Sequence, residues 1–323
     1  MTQPSNHGAP SRARPVVTVQ GPAAHDSLGI TDAHNHVWIE AVRGADSASP
    51  VLDDFDAIAG ELVEYRQAGG GSLLDCQPGG AGRDGNKLRE LADISGVNLI
   101  ACTGFHRRKY YAADHKLWEA PAEKVSDLIC AEFEQGLEET LGGATPVKAG
   151  FIKIALEATW EDCPRAAVDG AGLAAVKTGA LMAMHTEKGA LAERACTHLI
   201  AIGVEPKQLL VCHMDKRPDV GLHKALVGMG TMLEYDTFYR PKYEPPVRLW
   251  PLLEIMADAG LAGYIALATD MAESELYRRI GGGPGLASLP GEIRRHLQDR
   301  GFSTKQQEQL LGGNVARRLA GLD

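Results

Sequence analysis

The 323 residues carry 33 Lys and Arg against 42 Asp and Glu, a formal net charge of −9, which weighs against a general nucleic-acid or anionic-membrane surface. Hydrophobic content of 44% and charged content of 23% fit a globular chain, and no apolar run approaches the roughly 18 residues of a membrane span. The length exceeds one ordinary core, yet it fits a single α/β barrel of about 250 residues plus insertions.

Residues 1–15 mix Pro, Ser, Arg and Asn without an apolar stretch and read as a loose leader, not a secretory signal; the rest, 16–323, reads as one domain. Short apolar runs rich in Val, Ile, Leu, Ala and Thr recur at 29–34, 71–76, 98–104, 150–156, 180–185, 208–213, 231–236 and 263–270. Amphipathic stretches lie between them, among them 53–67, 84–95, 122–140, 188–202 and 247–259. A last helix is expected over 304–319, with Ser303 or Thr304 as its cap. Eight βα units predict a closed (β/α)8 TIM barrel. Six cysteines, at 76, 102, 130, 163, 196 and 212, form no C-x-x-C pair, which points to a reducing cytoplasm.

One charge sits where it should be costly. Lys153 interrupts the apolar run Ala149-Gly-Phe-Ile-Lys-Ile-Ala-Leu156. In a strand, Phe151, Lys153 and Ala155 share one face while Ile152, Ile154 and Leu156 share the other. Alone, the lysine could simply pack its stem and send its head to the strand end. Other strand ends change that reading, because catalytic groups of such barrels come from the C-terminal ends of the strands. His34 and His36 form an H-x-H pair, and His185, His213 and Asp270 end the fifth, sixth and eighth strands. A strand histidine is more often a hydrogen-bonded core residue than a ligand, and Asp270 could merely cap a turn. Five strand ends supplying His, Asp or Lys in register are far more specific than any one of them.

Lys153 then gains a chemical role. Burial and nearby divalent ions should lower its pKa, so that the neutral amine adds carbon dioxide. The resulting carbamate could bridge two ions about 3.5 to 4 Å apart. His34, His36 and Asp270 would hold one ion and His185 and His213 the other, with a bridging hydroxide as nucleophile and Asp270 taking its proton.

These residues and their surroundings resemble the phosphotriesterase-like branch of the amidohydrolase superfamily. The likeness includes Thr18-Val-Gln-Gly-Pro22, Leu28-Gly-Ile-Thr-Asp-Ala-His-Asn-His36, Gly70-Gly-Ser-Leu-Leu-Asp75 and Gly82-Arg-Asp84. It continues through Gly96-Val-Asn98, Thr103-Gly-Phe105, Ala149-Gly-Phe-Ile-Lys-Ile154, His185-Thr-Glu-Lys-Gly189, His213-Met-Asp215 and Thr269-Asp270. The resemblance runs from about residue 16 to the C-terminus. It implies a binuclear metallohydrolase on a distorted barrel, with N6-carboxylated Lys153 and with Asp270 both ligand and proton shuttle.

The loops 105–111 and 238–243 are basic and aromatic, which suggests an anionic or sugar-derived substrate bound by Arg107, Arg240, Lys242, Tyr243 and Arg278. Their style resembles the lactonase branch acting on sugar-acid lactones, some phosphorylated, although Ala272-Glu-Ser274 stands where those members place a basic residue. A phosphotriesterase or amidase is the alternative within hydrolases, a Schiff-base lyase using Lys153 the alternative outside them. A non-catalytic barrel that binds a metabolite or partner would predict no stoichiometric metal. The ligand set accepts Zn first, with Mn, Co or Fe also compatible. A homodimer is compatible with the chain; no nucleic acid or membrane partner is expected.

Overall fold

A computed structural model describes residues 13–323; all but the last three residues of the expected leader lie outside the described residues. A hairpin of β1 (Val16–Thr18) and β2 (Gly21–Ala23) precedes eight parallel strands. These are β3 (Ile30–Asn35), β4 (Gly70–Asp75), β5 (Asn98–Gly104), β6 (Phe151–Ala155), β7 (Met182–His185), β8 (Leu209–Val211), β9 (Met232–Tyr235) and β10 (Ile265–Leu267), neighbours in sequence order. Helices α1 (Phe55–Gln67), α2 (Gly85–Ser95), α3 (Ala122–Glu134), α4 (Arg165–Thr178), α5 (Ala192–Ile202), α6 (Val220–Gly228) and α7 (Leu249–Asp258) alternate with the strands. Asp54, Asp84 and Asp219 accept backbone hydrogen bonds at the starts of α1, α2 and α6. The fold is the TIM barrel that the eight apolar runs predict.

The two-residue alternation of the strands divides the core into layers. Phe151, Leu181, Ala183, Leu210, Met232 and Ala266 pack together inside the barrel, while Ile152, Ile154, Met182, Leu209, Leu233 and Ile265 pack against the helices. Lys153, completely buried, therefore points into the lumen, away from the isoleucines. The hairpin closes the N-terminal end of the barrel, where Val19 N donates to Leu99 O and Val16 joins the lumen cluster.

Four predicted elements are shorter or broken. The expected helix over 122–140 stops at Glu134, and a short 3-10 turn, Glu138–Thr140, follows. That break lets Glu139 join Glu132 on the buried guanidinium of Arg83. The final segment is not one helix. It divides into α9 (Thr304–Glu308), a π turn and α10 (Asn314–Leu319), after α8 (Arg294–Asp299); Ser303 is the cap, paired with Gln306 in a capping box. The break falls at Gly312, whose φ is +126° and where a Cβ would lie 2.5 Å from Thr31 N, so the close approach to β3 requires glycine. The sixth and eighth strands end early, at Val211 and Leu267. His213 (φ +64°) and Asp270 (φ +45°) lie just beyond them in left-handed backbone, a conformation costly for non-glycine residues.

Side chains close the seam between β3 and β10. Asp32 accepts from the backbone N–H of His34 and Thr269 (3.2 Å each), from Asn35 Nδ2 (3.0 Å) and from Thr269 Oγ1 (2.6 Å). Asn35 Nδ2 also donates to Thr269 Oγ1 (2.8 Å), and Asp270 N donates to His34 O (3.0 Å). Thr269→Val keeps the shape but strands these buried partners, so it should destabilise the protein by about 1–3 kcal/mol in chemical denaturation. An effect near zero would show that the seam does not depend on this hydroxyl.

Candidate metal centre

The rim of the barrel brings together all six residues singled out as ligands. Each histidine has a protein partner on one ring nitrogen. His34 Nδ1 lies 2.9 and 3.0 Å from the two Glu234 oxygens, and His36 Nδ1 donates to Gln77 Oε1 at 2.7 Å. His185 Nε2 lies 3.3 Å from Glu187, and His213 Nδ1 bonds Asp236. The opposite nitrogens converge. His34 Nε2 and His36 Nε2 are 3.7 and 3.8 Å from Asp270 Oδ1, Lys153 Nζ is 3.0 Å from His34 Nε2, and His185 Nδ1 is 2.9 Å from His213 Nε2. Such second partners fix ring orientation and tautomer around metals.

Two sets of potential ligand atoms fall within 4.8 Å of one another: His34, His36 and Asp270, and His34, His213, Glu234 and Asp236. The second set spans both the histidines and the carboxylates that hold them. In it, Glu234 takes His34 Nδ1 and Asp236 takes His213 Nδ1, so the carboxylates serve as partners to the rings, and the nitrogens facing Lys153 and His185 are the ones left for an ion. Asp236 Oδ1 is buried without a hydrogen-bond partner, and burial, with Asp215, Asp270 and Glu234 nearby, pushes its carboxyl well above the usual range, a cost that a bound cation would relieve.

The electrostatics suit metal ligation with two departures from expectation, the first at His34, where burial lowers the ring but Cys76 and Glu234 outweigh it and leave it raised well above its usual range. Burial holds His36 down to about 3 and His185 down to about 4, so both are neutral at pH 7. Burial, aided by Lys216, likewise keeps His213 well below its usual range. Asp270 is opposed by burial but held well below the usual carboxylate range by Lys216, His34, His36 and Arg240. Lys153 goes the other way from the expected direction. Burial does lower it, yet its acidic surroundings, Cys76, Cys212, Glu234 and Asp270, outweigh burial and leave it raised. Burial alone therefore does not free the amine.

The rim opens into a cavity of about 390 Å³, in the size range of small-molecule sites. Arg240, Lys242 and Tyr243 line it. Arg240 is held by Asp270 O at 2.6 Å and by Glu273 at 2.8 Å, while Lys242 is exposed with its Nζ 5.2 Å from the Tyr243 ring centre. Two expected substrate contacts are not brought to the cavity. Arg107 is clamped by Glu157 (3.0 Å) and Glu187 (2.5 Å), so it buttresses His185 through Glu187. Arg278 lines a shallow surface depression with Glu64 and Gln67, because Glu61 pins its loop to α1 through the N–H groups of Arg279 and Leu286.

Four contributors escaped the sequence reading. Lys216 lines the cavity with its Nζ 3.7 Å from Asp270. His106 lines it too, its ring centre 5.0 Å from that of His185. Glu234 and Asp236 sit under the histidines. Glu234 carried a usable signal, since it is a charge inside the apolar strand Thr231-Met-Leu-Glu-Tyr235, the same anomaly that singled out Lys153.

The chain matches the Phosphotriesterase family over residues 14–319. It is 30% identical over 325 residues to a phospho-furanose lactonase of Mycoplasmopsis synoviae, covering 94% of this chain and 91% of that protein. The solved structure of an amidohydrolase from Mycoplasma synoviae superposes with a TM-score of 0.86 at 28% identity, covering 97% and 93% of the two chains. A lactonase structure from Listeria monocytogenes shares the fold with a TM-score of 0.87 at 21% identity, covering 96% and 100%. With its rim of histidines and carboxylates on an eight-stranded barrel, this chain belongs to the phosphotriesterase family of hydrolases.

Proposed function

We propose that the protein is a lactonase that opens a sugar-acid lactone, and that its rim residues, with N6-carboxylated Lys153 among them, would hold two divalent ions. The observation that carries this reading is the chain of close approaches on the rim, Lys153 Nζ to His34 Nε2, His34 Nε2 and His36 Nε2 to Asp270, and His185 Nδ1 to His213 Nε2. His34, His36 and Asp270 would hold one ion, His185 and His213 the other. Zinc suits this nitrogen and oxygen set, and Mn, Co or Fe are also accepted by it. When bound, the ions would supply an ionised water near neutral pH and polarise the substrate carbonyl.

The rest is work for the chain's own groups. Asp270, kept anionic by Lys216 and Arg240, accepts the proton of the attacking water and returns it to the ring oxygen as the C–O bond breaks. Glu234, Gln77, Glu187 and Asp236 keep the four rings aimed. Lys153 gives up two protons, one to free its amine and one as its nitrogen bonds to the carbon of CO2, which turns a buried cation into an anion.

Lys216, Lys242 and Tyr243 gather on one side of the cavity, and this supports a phosphorylated substrate. The phospho-furanose lactonase relative points the same way. A phosphotriester or another ester could reach the same carbonyl-activating rim, so the substrate panel must include both. The holoenzyme should turn over five-membered sugar lactones well above phosphotriesters. Lys242→Ala should raise KM for a phosphorylated lactone about tenfold, equivalent to about 1.4 kcal/mol, and leave an unphosphorylated lactone nearly unchanged. Faster turnover of phosphotriesters than of any lactone would reject the lactonase assignment.

Metal analysis provides the second check. Wild-type protein prepared with bicarbonate should hold two ions per chain, Lys153→Met should lose most of them while keeping its melting temperature, and Lys153→Glu should retain part of the activity. A fully active Lys153→Met enzyme would remove the carbamate from the scheme. Glu234→Ala should weaken metal binding in chelator competition by roughly 10–100-fold, with Glu234→Gln in between. Unchanged affinity in both would leave Glu234 a purely structural carboxylate.

A further inference from the structure

His106 belongs to neither half of the ligand set, yet it is 7% exposed and faces the cavity. Its ring centre lies 5.0 Å from that of His185 and 6.4 Å from that of His36. Its two nitrogens are made unequal by the backbone. Arg107 N–H donates to His106 Nδ1 at 2.7 Å, so Nδ1 is the acceptor and the neutral ring must carry its proton on Nε2. Burial, with His185 and Lys153 nearby, pushes the ring far below its usual range and keeps it neutral. No protein acceptor is found for Nε2 among the described residues.

The surroundings hold this donor still. His106 N donates to Tyr111 Oη at 2.9 Å, and Tyr110 packs edge-on against the ring with centres 4.6 Å apart. On one side Phe105 N donates to Lys153 O at 2.8 Å, and on the other Arg108 N donates to Glu157 at 2.9 Å. Gly104, φ +104°, allows the strand carrying this loop to approach, since a Cβ there would lie 2.0 Å from Lys153 O. A neutral imidazole N–H fixed beside the His185 and His213 half of the rim has the geometry of a donor to developing negative charge.

We infer that His106 is a further catalytic residue: its Nε2–H donates a hydrogen bond to the substrate's carbonyl oxygen and stabilises the charge formed there during ring opening. As water oxygen bonds to the carbonyl carbon, the C=O π pair moves onto that oxygen and meets the His106 N–H. When the pair returns, the ring C–O bond breaks, and the alkoxide takes its proton from Asp270. His106 keeps its own proton throughout. This rests on the hydrolase reading above, but it assigns a role that neither the ions nor Asp270 performs.

The experiment uses metal-loaded enzyme and an unphosphorylated five-membered lactone, comparing wild type with His106→Phe, His106→Ala and His106→Gln. Loss of one preorganised donor should lower kcat roughly 10²–10³-fold in the Phe and Ala variants, with KM changed less than threefold and two ions still bound. His106→Gln, which can return an N–H to the same region, should recover about tenfold or more of that loss. The pH profile between 6 and 9 should keep its shape in all variants, because a donor that never loses its proton contributes no limb. Using both Phe and Ala guards against one of them failing to fold. A kcat within threefold of wild type in either folded variant overturns the inference. So does loss of metal, which would make His106 a ligand, or loss of a pH limb, which would make it a proton carrier. Failure of the parent reading looks different: the wild type itself would open no lactone.

Discussion

Asp32 and Thr269 hold the first and last barrel strands together, and the candidate centre depends on that junction more than on any other contact. Backbone pairing runs continuously from β3 to β10 but does not close the circle. The seam is completed by one backbone bond, Asp270 N to His34 O, and by one carboxylate that accepts from His34 N, Thr269 N, Asn35 and the Thr269 hydroxyl. Two of those groups adjoin the chemistry: His34 is itself a candidate ligand, and Asp270 follows Thr269. A set of donors drawn from residues more than 230 positions apart is thus registered by hydrogen bonds one residue away from it. The left-handed backbone at His213 and Asp270 belongs to the same economy, since regular strand geometry would point both side chains elsewhere.

Charge organises the lumen in a second way. Below the rim, Lys153 lies among Glu234, Asp270 and two thiols, with no water-facing surface. Desolvation and attraction compete there, and attraction prevails, contrary to the simple rule that a buried lysine becomes neutral. Any route to a carbamate then depends on cations entering the site to reverse the local field. The carboxylates behind the histidines serve the rings and at the same time decide how strongly the rim holds its protons.

Periodicity was sufficient for the barrel because every strand is buried on both faces and reads as a short apolar run. It was also sufficient for Lys153, because a two-residue repeat assigns a face without any tertiary knowledge. The ends of elements were less legible. Gly312 looks like an ordinary helix interruption, and only the proximity of Thr31 explains it; the helix predicted over 122–140 stops before Gly136, whose φ is +131°, and beyond it Glu139 turns to Arg83. Basic loop residues were the least legible of all. Arg107, Arg240, Lys242 and Arg278 look alike in a sequence, yet two of them are drawn away from the cavity by glutamates at Glu157, Glu187 and Glu61. Pairing partners on other elements decide which cation is left for a ligand, and their identity is a three-dimensional fact. Glu234 is the instructive omission, since it met the criterion that found Lys153.

The two ends of the described chain meet away from the rim. Arg14 N donates to Ala320 O at 3.0 Å, and its guanidinium is fastened to the carbonyls of Thr178 and Gly179 at the end of α4. The same pole carries the hairpin of β1 and β2. Residues 14 and 320 therefore both lie at the face opposite the cavity. A link between these two positions would be short enough to permit the order of the βα units to be rotated, with the mouth of the barrel on the opposite face.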